Sequence, residues 1–160
     1  MSENFEFTPE NLARCRDYIS RYPVKRAAML PVLHVAQEQN GYVSQQVEAQ
    51  VARLLEVPEV EVHQVVTFYT LFHRKQPGRH VIRLCMSPSC WLRGSEEIKG
   101  HLSQKLGVPS GGTTPDDRFT WEAVSDCLGA CEMAPMMQLD KDYHGPLTPE
   151  NVDELLEGTE

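Results

Sequence analysis

Apolar residues recur with two different periods along the chain. Leu12, Cys15, Ile19 and Tyr22 stand at helical spacing behind Thr8-Pro9-Glu10-Asn11. In that tetrapeptide Thr8 is a natural N-cap, Pro9 fits the first helical position, and Glu10 complements the helix dipole. Pro23 stops the run. A second helix is expected over Lys25 to Gln39, ending at the left-handed cap Asn40-Gly41, with Pro31 kinking it or shifting its start. Ser44 caps a third helix carrying Val47, Val51, Leu54 and Leu55. Pro58 opens a fourth, followed by Val62, Val65, Val66 and Phe68. Four short helices on short connections predict a small bundle.

After Gln76-Pro77-Gly78 the pattern changes. His80-Val81-Ile82-Arg83-Leu84 is β-branched and alternating, a strand that runs straight into Cys85. Ile98, Leu102 and Leu106 mark a helix from Ser95 to Leu106, closed by Gly107. Ser110-Gly111-Gly112 and Pro115-Asp116-Asp117 read as loop and turn. Phe119 to Val124 predicts a strand leading towards Cys127, and Met136 to Leu139 a short one before the turn-rich Asp140 to Gly145. Thr148-Pro149-Glu150-Asn151 repeats the earlier helix start, with Val152, Leu155 and Leu156 behind it. The flanks of the two tetrapeptides differ, so the repeat is reused capping chemistry. The expected class is α+β, a helical bundle over residues 1–79 followed by a small α/β domain over residues 80–160.

Charge divides at the same place. Residues 1–79 hold 9 basic and 9 acidic side chains, and residues 80–160 hold 6 and 14, which accounts for the whole net charge of −8. A surface of this sign repels phosphate backbones, and no basic cluster interleaved with aromatics offsets it, so nucleic acid is not an expected partner. No apolar run approaches the ~20 residues of a membrane span. The acidic N-terminus Met-Ser-Glu-Asn-Phe-Glu lacks the basic and apolar regions of a secretory signal. A cytoplasmic protein is expected, or one attached to something larger on the cytoplasmic side.

Four of the five cysteines lie in the acidic half, as Cys85-x4-Cys90 and, after 36 intervening residues, Cys127-x3-Cys131. An odd count without a signal peptide speaks against a disulfide framework and for thiolate ligands. Each pair follows a predicted strand, so both are placed to emerge at one end of a sheet. Four thiolates suit a [2Fe–2S] cluster, two on each iron, or one tetrahedral structural zinc. They are also compatible with small buried residues that coordinate nothing. The intra-pair loops are longer than the commonest zinc knuckle, which favours the binuclear object. Ser89, Gly129 and Ala130 are small enough to let backbone N–H groups approach the sulfurs.

Cys127-Leu128-Gly129-Ala130-Cys131-Glu132-Met133-Ala134-Pro135, with the earlier C-x4-C, resembles the thioredoxin-like [2Fe–2S] proteins. More narrowly, the chain resembles the family of E-type subunits of NADH-quinone oxidoreductase, the small iron–sulfur component of respiratory complex I. Tyr22-Pro23, Lys25-Arg26, Leu30-Pro31, Gln37 and Gly41-Tyr42 are similar to its helical region, and Val66 to Phe72 to that region's end. Tyr143, Gly145 and Leu147-Thr148 match the stretch after the second cysteine pair. The resemblance implies a thioredoxin-like fold for the second half and one [2Fe–2S] cluster on Cys85, Cys90, Cys127 and Cys131. It also implies a larger partner subunit carrying FMN, an NADH site and another iron–sulfur cluster, within a complex peripheral to the inner membrane. Trp91, bulkier than that family leads one to expect, and Asp140, where the family often has Asn, are departures that leave the four cysteines untouched.

The sequence shows neither G-x-G-x-x-G nor a P-loop, and no substrate site or acid–base residue is expected on this chain. Cys15 shares a helical face with Leu12 and Ile19 and is expected in the core. The six histidines are scattered without zinc-site spacing. Met133, Met136 and Met137 are expected mainly in the core, as are Phe68, Tyr69 and Phe72. Asp140 and Asp142 are expected on a solvated face. Equivalent subunits of NAD(P)-linked hydrogenases and formate dehydrogenases fit the same pattern, and a structural zinc interaction module is the reading of another class.

Overall fold

A computed structural model describes residues 5–159, so the first four residues of the acidic N-terminal stretch and Glu160 lie outside the described part. The chain divides into two compact units, the first ending at Gln76 and the second starting at Pro77.

The first unit holds α1 (Pro9–Ser20), a 3-10 turn (Lys25–Ala28), α2 (Met29–Asn40), α3 (Gln45–Leu55) and α4 (Glu59–Phe68). Thr8 caps α1 by accepting the Asn11 N–H, and Ser44 caps α3 by accepting the Val47 N–H. The second helix starts at Met29 and not at Lys25. Pro31 therefore falls in its first turn, where a missing N–H breaks no helical hydrogen bond. Gly41 closes α2 in the left-handed region at φ 82°. Val32, Leu33, Val35, Val47, Val51, Leu55 and Val62 fill the core, and Cys15 is buried among them. Phe72 joins this core, but Phe68 is 78% exposed. The inward side of α4 is set by Val62 and Val66. Two residues beyond Val66, Phe68 is turned about 200° from it around the helix.

The second unit runs β1 (His80–Cys85), α5 (Pro88–Leu92), α6 (Ser95–Leu106), β2 (Gly112–Thr113), β3 (Phe119–Val124), a 3-10 turn (Cys131–Met133), β4 (Met137–Leu139), β5 (Asp142–His144) and α7 (Pro149–Gly158). The strands form one sheet in the order β2-β3-β1-β4-β5, with β1 and β3 parallel and the other pairs antiparallel. Ile82, Leu84, Phe119, Trp121, Met137 and Leu139 make the apolar face, on which Ile98 and Leu102 of α6 and Val152 and Leu156 of α7 pack. On intervening positions, Arg83 faces Glu122 at 3.2 Å. Helix α7 carries a full capping box between Thr148 and Asn151.

Three elements depart from the expectation. The loop inside the first cysteine pair contains α5, and the turn-rich Asp140 to Gly145 contains β5. Gly112, expected in a loop, pairs with Trp121. Nor is Asp140 simply solvated: its carboxylate accepts the Val81 N–H at 2.8 Å and lies 2.8 Å from His80 Nδ1. Among the described residues no helix is long and apolar enough to cross a membrane.

Candidate iron–sulfur centre

Parallel pairing brings the cysteine pairs together. Cys85 ends β1 in register with Val124, the last residue of β3, so the loops leaving both strands start at the same edge. The first loop turns at once into α5, which begins at Pro88 and carries Cys90 inward. The second loop reverses through Gly129 at φ 87° and delivers Cys131 to the 3-10 turn. Cys85 and Cys90 pack with Ala130, Ala134 and Met136 in a small cluster of their own.

The two pairs differ in exposure. Cys85 and Cys90 are each 1% exposed, whereas Cys127 and Cys131 face solvent. The Cys127 and Cys131 sulfurs lie 3.5 Å apart. Cys85 and Cys90 interact with one another, and both feel Cys131 or Cys127 electrostatically, so the four thiols share one neighbourhood. No three of the described His, Cys, Asp and Glu side chains are gathered tightly enough to hold a single metal ion, and the sulfurs stand as two pairs.

Hydrogen-bond donors surround the sulfurs. The Ser87 hydroxyl lies 3.1 Å from Cys85 Sγ. Burial pushes the Cys85 pKa up, but this hydroxyl and the N–H groups of Leu128 and Ser87 outweigh it, and the net direction is down. Burial raises the Cys90 thiol to about 11 against the opposing Met136 N–H. At the exposed pair, the Gly129 N–H lowers Cys127, and the hydrogen bond with Cys127 raises Cys131. Each pair thus holds one thiol biased towards the thiolate that a metal requires.

Of the small residues singled out in the sequence, Gly129 donates its N–H to Cys127 as expected, Ser89 reaches Cys131 through its side chain instead, and Ala130 packs against the buried pair. Ser87 was not singled out, although its place two residues after a thiol that ends a strand is the available signal. Met136 and Met133 pack around the cysteines, while Met137 belongs to the sheet's core. Cys15 lies in the first unit's core, where burial raises its pKa to about 11. Trp91 and Leu92, next to Cys90, are 58% and 77% exposed.

The model of the thioredoxin-like [2Fe–2S] ferredoxin family matches residues 15–160. The chain is 48% identical over 138 residues to the NADH-quinone oxidoreductase E-type subunit numbered 2 in Rhizobium meliloti (strain 1021), covering 86% of this chain and 82% of that protein. It is 40% identical over 160 residues to the E-type subunit of NADH-quinone oxidoreductase of Rickettsia felis, covering 98% of this chain and 95% of that one. Among solved structures, an NAD+-reducing [NiFe]-hydrogenase in the air-oxidized state aligns with a TM-score of 0.68 at 22% identity. That alignment covers 81% of this chain but only 22% of the hydrogenase chain, and at such identity it speaks for the fold alone. With its family model spanning both cysteine pairs and relatives of this identity along nearly their full length, the chain belongs to the thioredoxin-like [2Fe–2S] ferredoxins and, among them, to the family of E-type subunits of NADH-quinone oxidoreductase.

Proposed function

We propose that Cys85, Cys90, Cys127 and Cys131 hold one [2Fe–2S] cluster, and that this chain carries single electrons within an NADH-quinone oxidoreductase. The observation that carries the reading is the meeting of both cysteine pairs at one edge of the parallel β1–β3 pair. The donor set fits such a group: four thiols in two pairs, with N–H and hydroxyl donors aimed at the sulfurs. When bound, the cluster supplies a reversible one-electron couple. Cys85 and Cys90 hold the buried side, where Ala130, Ala134 and Met136 exclude water. Cys127 and Cys131 hold the solvent side. The donors at Cys85 and Cys127 offset negative charge on the sulfurs and so favour the reduced state.

The partner in this reading is a larger subunit with FMN, an NADH site and a further iron–sulfur cluster, in a complex attached to the cytoplasmic side of the inner membrane. Support comes from the NADH-quinone oxidoreductase relatives. A second reading, the equivalent subunit of an NAD-linked hydrogenase, is compatible with the fold shared with the NAD+-reducing enzyme. Affinity purification from the native host separates the two. Co-purification of quinone-reductase subunits supports the first reading, and co-purification of a nickel-containing subunit supports the second.

A further inference from the structure

Gly145 lies outside both cysteine loops, in the link between β5 and α7. A Cβ there would run into the Met133 carbonyl oxygen and would stand 3.0 Å from Met136 Cβ and 3.1 Å from Met133 Cβ. The backbone at 145 is therefore packed against the segment 133–136 with no room for a side chain. Two residues on, the Leu147 N–H donates to the Pro135 carbonyl at 2.7 Å, fastening the same segment from the same side.

That segment touches ligands of both pairs. Met133 closes the 3-10 turn that starts at Cys131, and the Ala134 N–H bonds back to the Cys131 carbonyl at 3.2 Å. The Met136 carbonyl accepts the Cys85 N–H at 3.1 Å, while the Met136 N–H is directed at the Cys90 sulfur. Three of the four cysteines are thus held through residues 133–136, and residues 145–147 hold those residues.

We infer that Gly145 is a positioning residue for the metal centre: its close backbone contact locks the 133–136 segment, and through it the spacing of Cys85, Cys90 and Cys131. This rests on the assignment of the four cysteines as ligands. Any side chain at 145 must push the segment outward, which displaces Cys131 relative to the buried pair. Geometry around a cluster responds to such supporting contacts even when every ligand is retained.

The test compares purified full-length holoprotein of the wild type, Gly145→Ala and Gly100→Ala. Position 100 lies on α6, and a Cβ there meets nothing within 4 Å. The measurements are loss of visible absorption in excess iron chelator and the EPR spectrum after dithionite reduction. Gly145→Ala is expected to lose its cluster about tenfold faster, on the scale of the roughly 10–100-fold losses of metal affinity that follow when supporting contacts of ligands are removed, and to show shifted g-values. Gly100→Ala is expected to match the wild type in both. A second measurement needs no variant. In the wild type, cluster loading should slow amide exchange at Leu147 several-fold and leave Gly107, at the far end of α6, unchanged. A folded Gly145→Ala protein with wild-type decay and g-values overturns the inference, as does Leu147 exchange indifferent to loading. A wild-type chain that takes up neither iron nor sulfide overturns the ligand assignment itself.

Discussion

Cys85 and Val124 are register partners at the ends of two parallel strands. From this one pairing, the loop that contains Cys90 and the loop that contains Cys127 and Cys131 leave the sheet side by side. Sequence distance between the pairs, 36 residues, becomes spatial adjacency because α5, α6 and β2 are accommodated between β1 and β3. A crossover of this kind is the normal way to join parallel strands.

Replacing Cys127 removes one ligand from the exposed pair and should abolish the wild-type visible spectrum or weaken it severely. Cys15→Ser should leave that spectrum intact. Its cost appears in stability instead, because the hydroxyl enters an apolar core; about 1–3 kcal/mol is expected if it finds no partner. Absorption spectra and urea titrations of the two variants check both statements.

The Ser87 hydroxyl, 3.1 Å from Cys85 Sγ, should favour the more negative, reduced state of the centre. Ser87→Ala is expected to lower the reduction potential. A hydrogen bond to a charged group is worth about 1.5–3 kcal/mol, and the fraction that differs between redox states corresponds to a shift on the order of tens of mV. An EPR-monitored redox titration measures it, with unchanged iron content as the control.

Gly41 ends α2 at φ 82°, where the nearest obstacle to a Cβ is the flexible Gln76 side chain. The backbone conformation, more than crowding, then sets the cost of Gly41→Ala. A loss of about 1–2 kcal/mol is expected from placing an L-residue in the left-handed region. Chemical denaturation followed by circular dichroism gives the value.

Asp153 on α7 is bonded to His101 and Lys105 of α6. The hydrogen bond with His101, then that with Lys105, lowers its pKa below the ordinary 3.8. A carboxyl depressed on folding stabilises the native state above its unfolded pKa, and that contribution disappears as pH falls through the folded value. Asp153→Asn should therefore lower the melting temperature near about pH 7. The difference from wild type should shrink below about pH 4 and also in high salt. Melting curves across pH and salt test the sign.

Much of this fold is legible in local chemistry. Thr8-Pro9-Glu10-Asn11 and Thr148-Pro149-Glu150-Asn151 start the first and last helices because cap, proline and acid act within one turn. Strand β1 shows itself by alternation. The elements that local patterning does not reveal depend on distant partners. Gly112 and Thr113 become a strand only beside Trp121 and Thr120, and β5 only against β4. Helix α5 is too short to display a period. At the site, the cysteine spacing pointed to thiolate coordination and left zinc open, and the family resemblance supplied the [2Fe–2S] assignment. Ser87 is marked only by its place two residues after Cys85, and Gly145 acts through a contact with Met133 and Met136 that no spacing encodes.

Whether the four cysteines hold a binuclear cluster is tested most directly on anaerobically purified protein, by visible spectra before and after dithionite together with iron, sulfide and zinc analysis. A red-brown protein with about two irons and two sulfides per chain, whose absorption bleaches on reduction, is the predicted result. Colourless protein carrying about one zinc per chain would contradict it and leave a tetrahedral structural site in its place.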